Sequence, residues 1–214
     1  MMGHAGMAAA AVRYLRSAGA PTSAPGQPHP VAPLPRPALR AVGADERSPV
    51  APDAFRHVLG HFASGVTVVT APGGDGEPPA GFACQSFASL SLEPPLVVFM
   101  VARTSITWPR IARAGVFCVN VLGAHQEDVC RAFAVSGSRT ADKFAGVRHT
   151  PSQVTGSPRL TGAPAWIDCT VRAVHTGGDH LIVVGGVEAL GADDTSSEAH
   201  PLLFHRGAFG TFSG

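Results

Sequence analysis

The chain has 214 residues, 45% apolar and 14% charged, with a formal net charge of +1. This composition can build a core and excludes a chain that is disordered throughout. The balanced charge argues against a nucleic-acid binder, which shows a basic stripe, and no apolar run reaches the ~18 residues of a membrane helix.

Residues 1–50 differ from the rest. They hold eight of the 19 prolines, and five arginines against two acids. Such a segment cannot bury enough apolar surface to offset its ordering entropy. It is expected to be a disordered, Pro/Ala-rich extension, with the folded domain over residues 51–214. Arg13 and Arg16 imitate a targeting peptide, but no clear apolar stretch follows a basic start.

Asp53 is placed to cap a helix over residues 54–62, with Phe55, Val58, Leu59 and Phe62 on one face. The β-branched run Val66–Ala71 predicts a strand. Pro72-Gly73-Gly74-Asp75-Gly76 then predicts a hairpin loop, with the second strand near Ala80–Ser86. Ala88–Leu92 and Leu96–Val101 read as strands. The link Glu93-Pro94-Pro95 should stay extended, since its prolines lack ladder donors.

Ser105–Ala114 reads as a helix closed by Gly115. A buried strand over Val116–Leu122 and a helix over Ala124–Phe133 follow. Residues 135–162 read as irregular. Ala165–His175 and His180–Leu190 predict two long strands around Thr176-Gly177-Gly178-Asp179, and Leu202–His205 and Ala208–Phe212 close the chain. Seven or eight strands joined by short turns, with three short helices, predict an all-β antiparallel barrel rather than a doubly wound sheet.

Cys84, Cys118, Cys130 and Cys169 show no C-x-x-C spacing and read as reduced, buried thiols of a cytoplasmic protein. No metal is expected. His57 and His61 share a helix face, but Val58 stands where a zinc protease needs Glu. Asp179-His180 with Ser86 lacks the G-x-S-x-G elbow of a hydrolase. Lys143, the one lysine, reads equally as a charge beside a cofactor phosphate or as a solvated loop cation.

The stretch Gly81-Phe82-Ala83-Cys84-Gln85-Ser86-Phe87-Ala88-Ser89 is small and hydroxyl-rich. Gly81, Ala83 and Ser86 would let a flat ligand approach the backbone, and the hydroxyls of Ser86 and Ser89 could bond a heterocycle. It reads as well as a hairpin with serines on a wet face.

An ordered series of short motifs adds to this. It runs from Phe55-Arg56 and Leu59-Gly60 through Gly65–Thr70, Gly81–Pro95 and Phe117–Leu122 with Gln126. Asp142-Lys143-Phe144, Gly156-Ser157-Pro158, Asp168–Val171, Gly177–His180 and Pro201–Gly207 complete it. The series resembles the flavin reductase-like family, the reductases that serve two-component flavin monooxygenases, and covers residues of about 53–212. Its wording is similar to reductase components of steroid or aromatic-compound catabolism.

The resemblance implies an antiparallel Greek-key FMN-binding split barrel. It implies reduction of free FMN or FAD by NADH or NADPH, a homodimer, and a separate flavin-dependent oxygenase as partner, with no nucleic acid or membrane. Carried over by position, flavin contacts fall on Pro79, Ala80, Gly81, Phe82, Ala83, Gln85 and Ser86. Further contacts fall on Met100, Val101, Ala102, Ile106, Thr107, Ala132 and Phe133, with Lys143 near a phosphate. Phe204, His205, Arg206 and Gly207 match the NAD(P)H contact, and His180 should face the nicotinamide side of the flavin. His205 replaces the tyrosine of relatives, which unsettles dinucleotide geometry there. Two other readings stand beside this one: a flavin-retaining oxidase resembling pyridoxamine phosphate oxidases, and a non-catalytic flavin-binding module.

Overall fold

A computed structural model describes residues 50–74, 76–135, 143–193 and 200–212. The expectation of a disordered extension over residues 1–50 lies outside the described residues, Val50 apart. No helix among the described residues is long and apolar enough to cross a membrane.

The first helix, α1, runs from Pro52 to Leu59. Proline suits its first position, where the missing N–H has no intrahelical partner. Asp53 is therefore inside the helix rather than capping it, and its carboxylate meets Arg56 at 3.1 Å. The expected core face is absent. Phe55 is 56% exposed and Phe62 80%.

Next come β1 (Ser64–Gly65), β2 (Thr67–Ala71), β3 (Ala80–Cys84), β4 (Ala88–Leu92) and β5 (Pro95–Ala102). The β4–β5 link is not an extended spacer. Leu92 pairs with Pro95 across a tight turn that contains a cis Glu93–Pro94 bond. Helix α2 (Trp108–Ala114) ends at Gly115 as expected. Strand β6 (Val116–Val121) precedes a 3₁₀ turn (Ala124–Gln126) and helix α3 (Glu127–Ala134). The segment expected to be irregular contains a hairpin, β7 (His149–Pro151) with β8 (Pro158–Leu160). Then β9 (Ala165–Gly177), β10 (His180–Ala192), β11 (Leu202–His205) and β12 (Ala208–Thr211) complete the chain.

Seven antiparallel strands form the main sheet in the order β3-β2-β6-β9-β10-β5-β4. Every residue of β2 is buried, which explains its unbroken β-branched run. Bulges at Val184/Gly185 and Val187/Ala189 bend the long β9–β10 pair. Its inner half joins the core and its tip projects. Phe99 anchors that core, with ring centroids 5.2 Å from Phe117, 5.9 Å from Phe82 and 6.2 Å from Trp108. Burying such a ring contributes about 2–3 kcal/mol. A second cluster packs Phe133 of α3 with Phe144, Leu160 and Leu202.

The small sheet β1-β11-β12 is stitched to the barrel by backbone bonds. Leu122 N–H donates to Val66 O at 3.0 Å, Val66 N–H to Leu202 O at 3.1 Å and Leu202 N–H to Leu122 O at 3.0 Å. Buried Asn120 ties on the β7–β8 hairpin. It donates to Val68 O and accepts from Leu160 N–H at 2.8 Å.

Candidate functional site at the barrel seam

The seven-stranded sheet leaves β3 and β4 as its two ends. They approach through the link between them, where Ser86 joins β5. Met100 N–H donates to Ser86 Oγ at 2.9 Å, and that hydroxyl donates to Met100 O at 2.9 Å. Cys84 Sγ lies 3.3 Å from the same hydroxyl. Ser86 is thus a clasp between β3 and β5, and its proton is not available to a ligand. Ser89 lies exposed on β4, outside the cleft.

Above this clasp opens a cleft of about 750 Å³. That is the size of a small-molecule site. One wall is Phe82, Ala83, Gln85 and Ser86; another is Met100, Val101 and Ala102 of β5. Ile106, Thr107, Phe133, Lys143 and Phe204 complete the lining, and His180, paired with Ala102 across β10 and β5, extends the β5 wall. The fold therefore gathers 13 of the expected site residues around one space.

Their backbone carries the recognition chemistry. Strand β3 pairs only with β2, so its other edge is unpaired. Thr67 donates to Cys84 O at 2.9 Å on the β2 side. Lys143 Nζ reaches Gly81 O at 3.4 Å on the other. Strand alternation then directs the N–H and C=O of Gly81 and Ala83 toward the cleft side. A flat heterocycle with carbonyls and ring nitrogens can pair with such an edge.

Gly81 is small for a different reason than expected. A Cβ there would lie 2.7 Å from the Phe133 ring. The missing side chain admits Phe133, which in turn walls the cleft. Ala80 packs its side chain in the core and, by the same alternation, turns its backbone groups to β2, so it is not part of the cleft wall. Pro79 and Ala132 are half-buried outside the cleft. On α3 it is Cys130, Phe133 and Ala134 that line it, the helical i, i+3, i+4 set.

Lys143 is the one Lys or Arg among the described residues lining the cleft. Its ammonium also donates to Phe133 O at 3.0 Å, at the carbonyl end of α3. Burial lowers its pKa below the ordinary lysine value. Burial raises the thiols of Cys84 and Cys130, so both stay protonated and poorly nucleophilic. Cys118, buried in the barrel, is pushed up to about 12 by burial and then by Asp168.

The β9–β10 tip beside β5 is exposed. His180 sits at the β9–β10 tip, with Nδ1 2.8 Å from Asp179 Oδ1. That bond holds the Asp179 carboxyl below its usual range. Arg103 N–H fixes the tip by donating to Asp179 O at 3.0 Å.

His205, Arg206 and Gly207 lie outside the main cleft. Arg206 (φ 50°) and Gly207 (φ 83°) form the two-residue turn between β11 and β12. Both φ values are positive, the type I′ pattern that suits the strand twist. Arginine is strained there. Arg206 N–H donates to Gly60 O at 3.0 Å, and the His205 ring lies 6.4 Å from that of His61. Arg206 and Gly207 line a smaller cavity that shares Gln85 and Phe204 with the main cleft.

Sequence reasoning missed Val66, Cys84, Thr104, Ser105, Cys130, Ala134, Val135 and Phe209 in the cleft wall. Two signals were present. Thr104 and Ser105 precede the helix-opening Pro109, and Ser105 Oγ accepts from Trp108 N–H at 3.2 Å. Phe209 stands opposite Phe204 in the hairpin register, with ring centroids 5.2 Å apart.

These elements define a split β-barrel with a ligand cleft at its seam. Residues 59–213 match the flavin reductase like domain, and the chain belongs to that family. It is 50% identical to the flavin-dependent monooxygenase reductase subunit HsaB of Rhodococcus jostii, over 78% of this chain and 81% of that one. A flavin reductase of Pseudomonas putida is 47% identical, over 78% and 94%. Among solved structures, the NADH:FAD oxidoreductase SgcE6 of Streptomyces globisporus, in complex with NAD and FAD fragments, aligns with a TM-score of 0.69. It is 35% identical and covers 78% of this chain and 98% of that one.

Proposed function

We propose that this chain is an NAD(P)H:flavin oxidoreductase that reduces free FMN or FAD and releases it to a separate flavin-dependent oxygenase. The observation that carries this is the seam cleft, which joins the unpaired edge of β3 and the exposed His180 tip beside β5. The donor set fits a flavin: outward backbone groups of Gly81 and Ala83, hydroxyls at Thr104 and Thr107, and one ammonium, Lys143. Names of relatives, among them NADH:FMN oxidoreductase and reductase components of monooxygenases, support the same reading.

When the two substrates are stacked, a hydride passes from the nicotinamide ring to the flavin, and the cofactors supply that reactivity. The chain supplies orientation. Phe82, Met100 and the β3 edge form the fixed face. Lys143 contributes charge next to that face. His180, its Nδ1 committed to Asp179, presents its other nitrogen for the incoming nicotinamide. Arg206 holds the dinucleotide beyond it. The walls carry a single lysine and no arginine among the described residues. That is a poor match to the basic set an oxidase of phosphorylated substrates needs.

The working unit in this reading is a homodimer of the domain over residues 51–214, with residues 1–50 outside the reaction. Strand β4 supports it, an edge strand whose Leu90 and Leu92 are exposed. Four free, buried cysteines fit a reducing compartment, the cytoplasm.

The test mixes the protein with excess FMN or FAD and with NADH or NADPH, and follows the flavin band near ~450 nm. Multiple turnovers of free flavin are expected. A flavin that stays bound and is bleached only by another substrate, or no bleaching at all, overturns the proposal. Sedimentation of the same sample should give twice the monomer mass.

A further inference from the structure

We infer that Met100 is an oxidative modification site in the seam cleft, where peroxide formed from reduced flavin and dioxygen converts its thioether to the sulfoxide and weakens flavin binding. The inference rests on the reductase reading above and adds regulation to it: reduced flavin that no oxygenase consumes slows its own production.

Met100 is the one methionine of residues 51–214; the other three are Met1, Met2 and Met7. On β5 it alternates with Phe99 and Val101, which are buried in the core, so its side chain turns out into the cleft. It is 40% exposed. A methionine that fills a core is shielded from small oxidants. This one lines the space in which they would arise.

The chemistry balances. Reduced flavin gives two electrons and two protons to dioxygen, which leaves oxidised flavin and hydrogen peroxide. The Met100 sulfur then attacks one peroxide oxygen. An S–O bond forms, the O–O bond breaks, and the departing oxygen takes the other's proton and leaves as water. Sulfur is oxidised by two electrons and the peroxide is reduced by two. The other sulfurs of the cleft are poor targets. Cys84 and Cys130 are buried, and burial keeps both thiols protonated. A thioether has no proton to lose, so its lone pair is available at any pH.

The consequence falls on the ligand face. Met100 N–H and C=O are both held by the Ser86 hydroxyl at 2.9 Å, and the residue is in register with Ile182 of β10. With the backbone fixed on both sides, oxidation changes the side chain and leaves the sheet closed. A soft, apolar sulfur that packs well on an aromatic ring becomes a polar, chiral sulfoxide. Against the flat face of a flavin, that oxygen loses water and gains no hydrogen-bond donor.

Peptide mass mapping of the full chain after turnover of NADH and excess FMN in air tests this, with Met7 as the internal reference. One added oxygen is expected on Met100, and more of it than on Met7. The flavin KM should rise about threefold or more as the sulfoxide accumulates, and methionine sulfoxide reductase should restore it. Without dioxygen, Met100 should stay unmodified and the KM constant. In Met100→Leu the KM, whatever its starting value, should hold steady through aerobic turnover. Met100 oxidised no more than Met7, or oxidised equally without dioxygen, overturns the inference. So does a sulfoxide that leaves the KM unchanged, or a Met100→Leu KM that drifts as wild type does. Each of these leaves the reductase reading standing, since flavin turnover is measured in the same mixture. Absence of that turnover removes the reductase reading and the inference with it.

Discussion

The two sides of the seam are built differently. The side proposed to hold the flavin is set into the barrel. Phe82 packs on buried Phe99, Phe133 fits the gap at Gly81, and the Ser86 hydroxyl spends both its roles on Met100. The side proposed to take the nicotinamide donor consists of tips. His180 is 46% exposed and Asp179 94%, and Arg206 occupies a strained two-residue turn. Rigid walls hold one ring in register. Exposed tips let the second substrate enter and leave, which a reductase that releases its product requires.

Five measurements would break or sharpen that contrast. The largest effect is expected on the proposed donor side, where His180→Ala should lower kcat/KM for NADH by about 100-fold, or ~2.7 kcal/mol, since orientation is its proposed role. Flavin affinity should change little; a variant with both values intact removes His180 from the reaction. Gly81→Ala comes next. Its Cβ meets the Phe133 ring, so thermal unfolding should show a loss of about 2 kcal/mol together with a higher flavin KM. If flavin KM rises with no loss of stability, the glycine serves the ligand and not Phe133.

Ser86→Ala should cost about 1–2 kcal/mol in denaturant unfolding, because Met100 N–H and C=O both lose their partner. Arg206→Asn should do the opposite on the donor side. Asparagine accepts the left-handed turn, so stability should rise by roughly 0.5–1 kcal/mol while NADH binds less well. Parallel loss of stability and binding would show that the turn is not strained.

The smallest effect concerns pH. The Asp179 carboxyl is held below its usual value by His180. Its contribution is therefore present above the ordinary carboxylate pKa and fades as pH falls through the lowered one. KM for NADH should rise only at that acid edge, and Asp179→Asn should flatten the rise.

Parts of this were legible in the sequence for simple reasons. Strand β2 and the β9–β10 pair announce themselves because β-branched runs bounded by turn residues have few alternatives. The four thiols read as buried and free, as they are. Other parts depended on partners far away in the chain. Nothing local says that Phe55 and Phe62 stay exposed, since amphipathic spacing is the same whether a helix meets a core or a cavity. The Glu93-Pro94-Pro95 link looked extended because proline rules describe lost donors, not the pairing of Leu92 with Pro95 around it.

By itself, then, the sequence determined most of the strand-forming segments and turns, the β7–β8 hairpin and the β4–β5 turn excepted, and the order of motifs that places the chain among split-barrel reductases. Short-range periodicity and backbone preference suffice for those. Only the tertiary structure decided that Ser86 is a clasp, that Gly81 makes room for Phe133, and that Arg206 lines a second space beside the seam. Each of these is a contact between residues separated by many positions, and such contacts exist only once the barrel has closed.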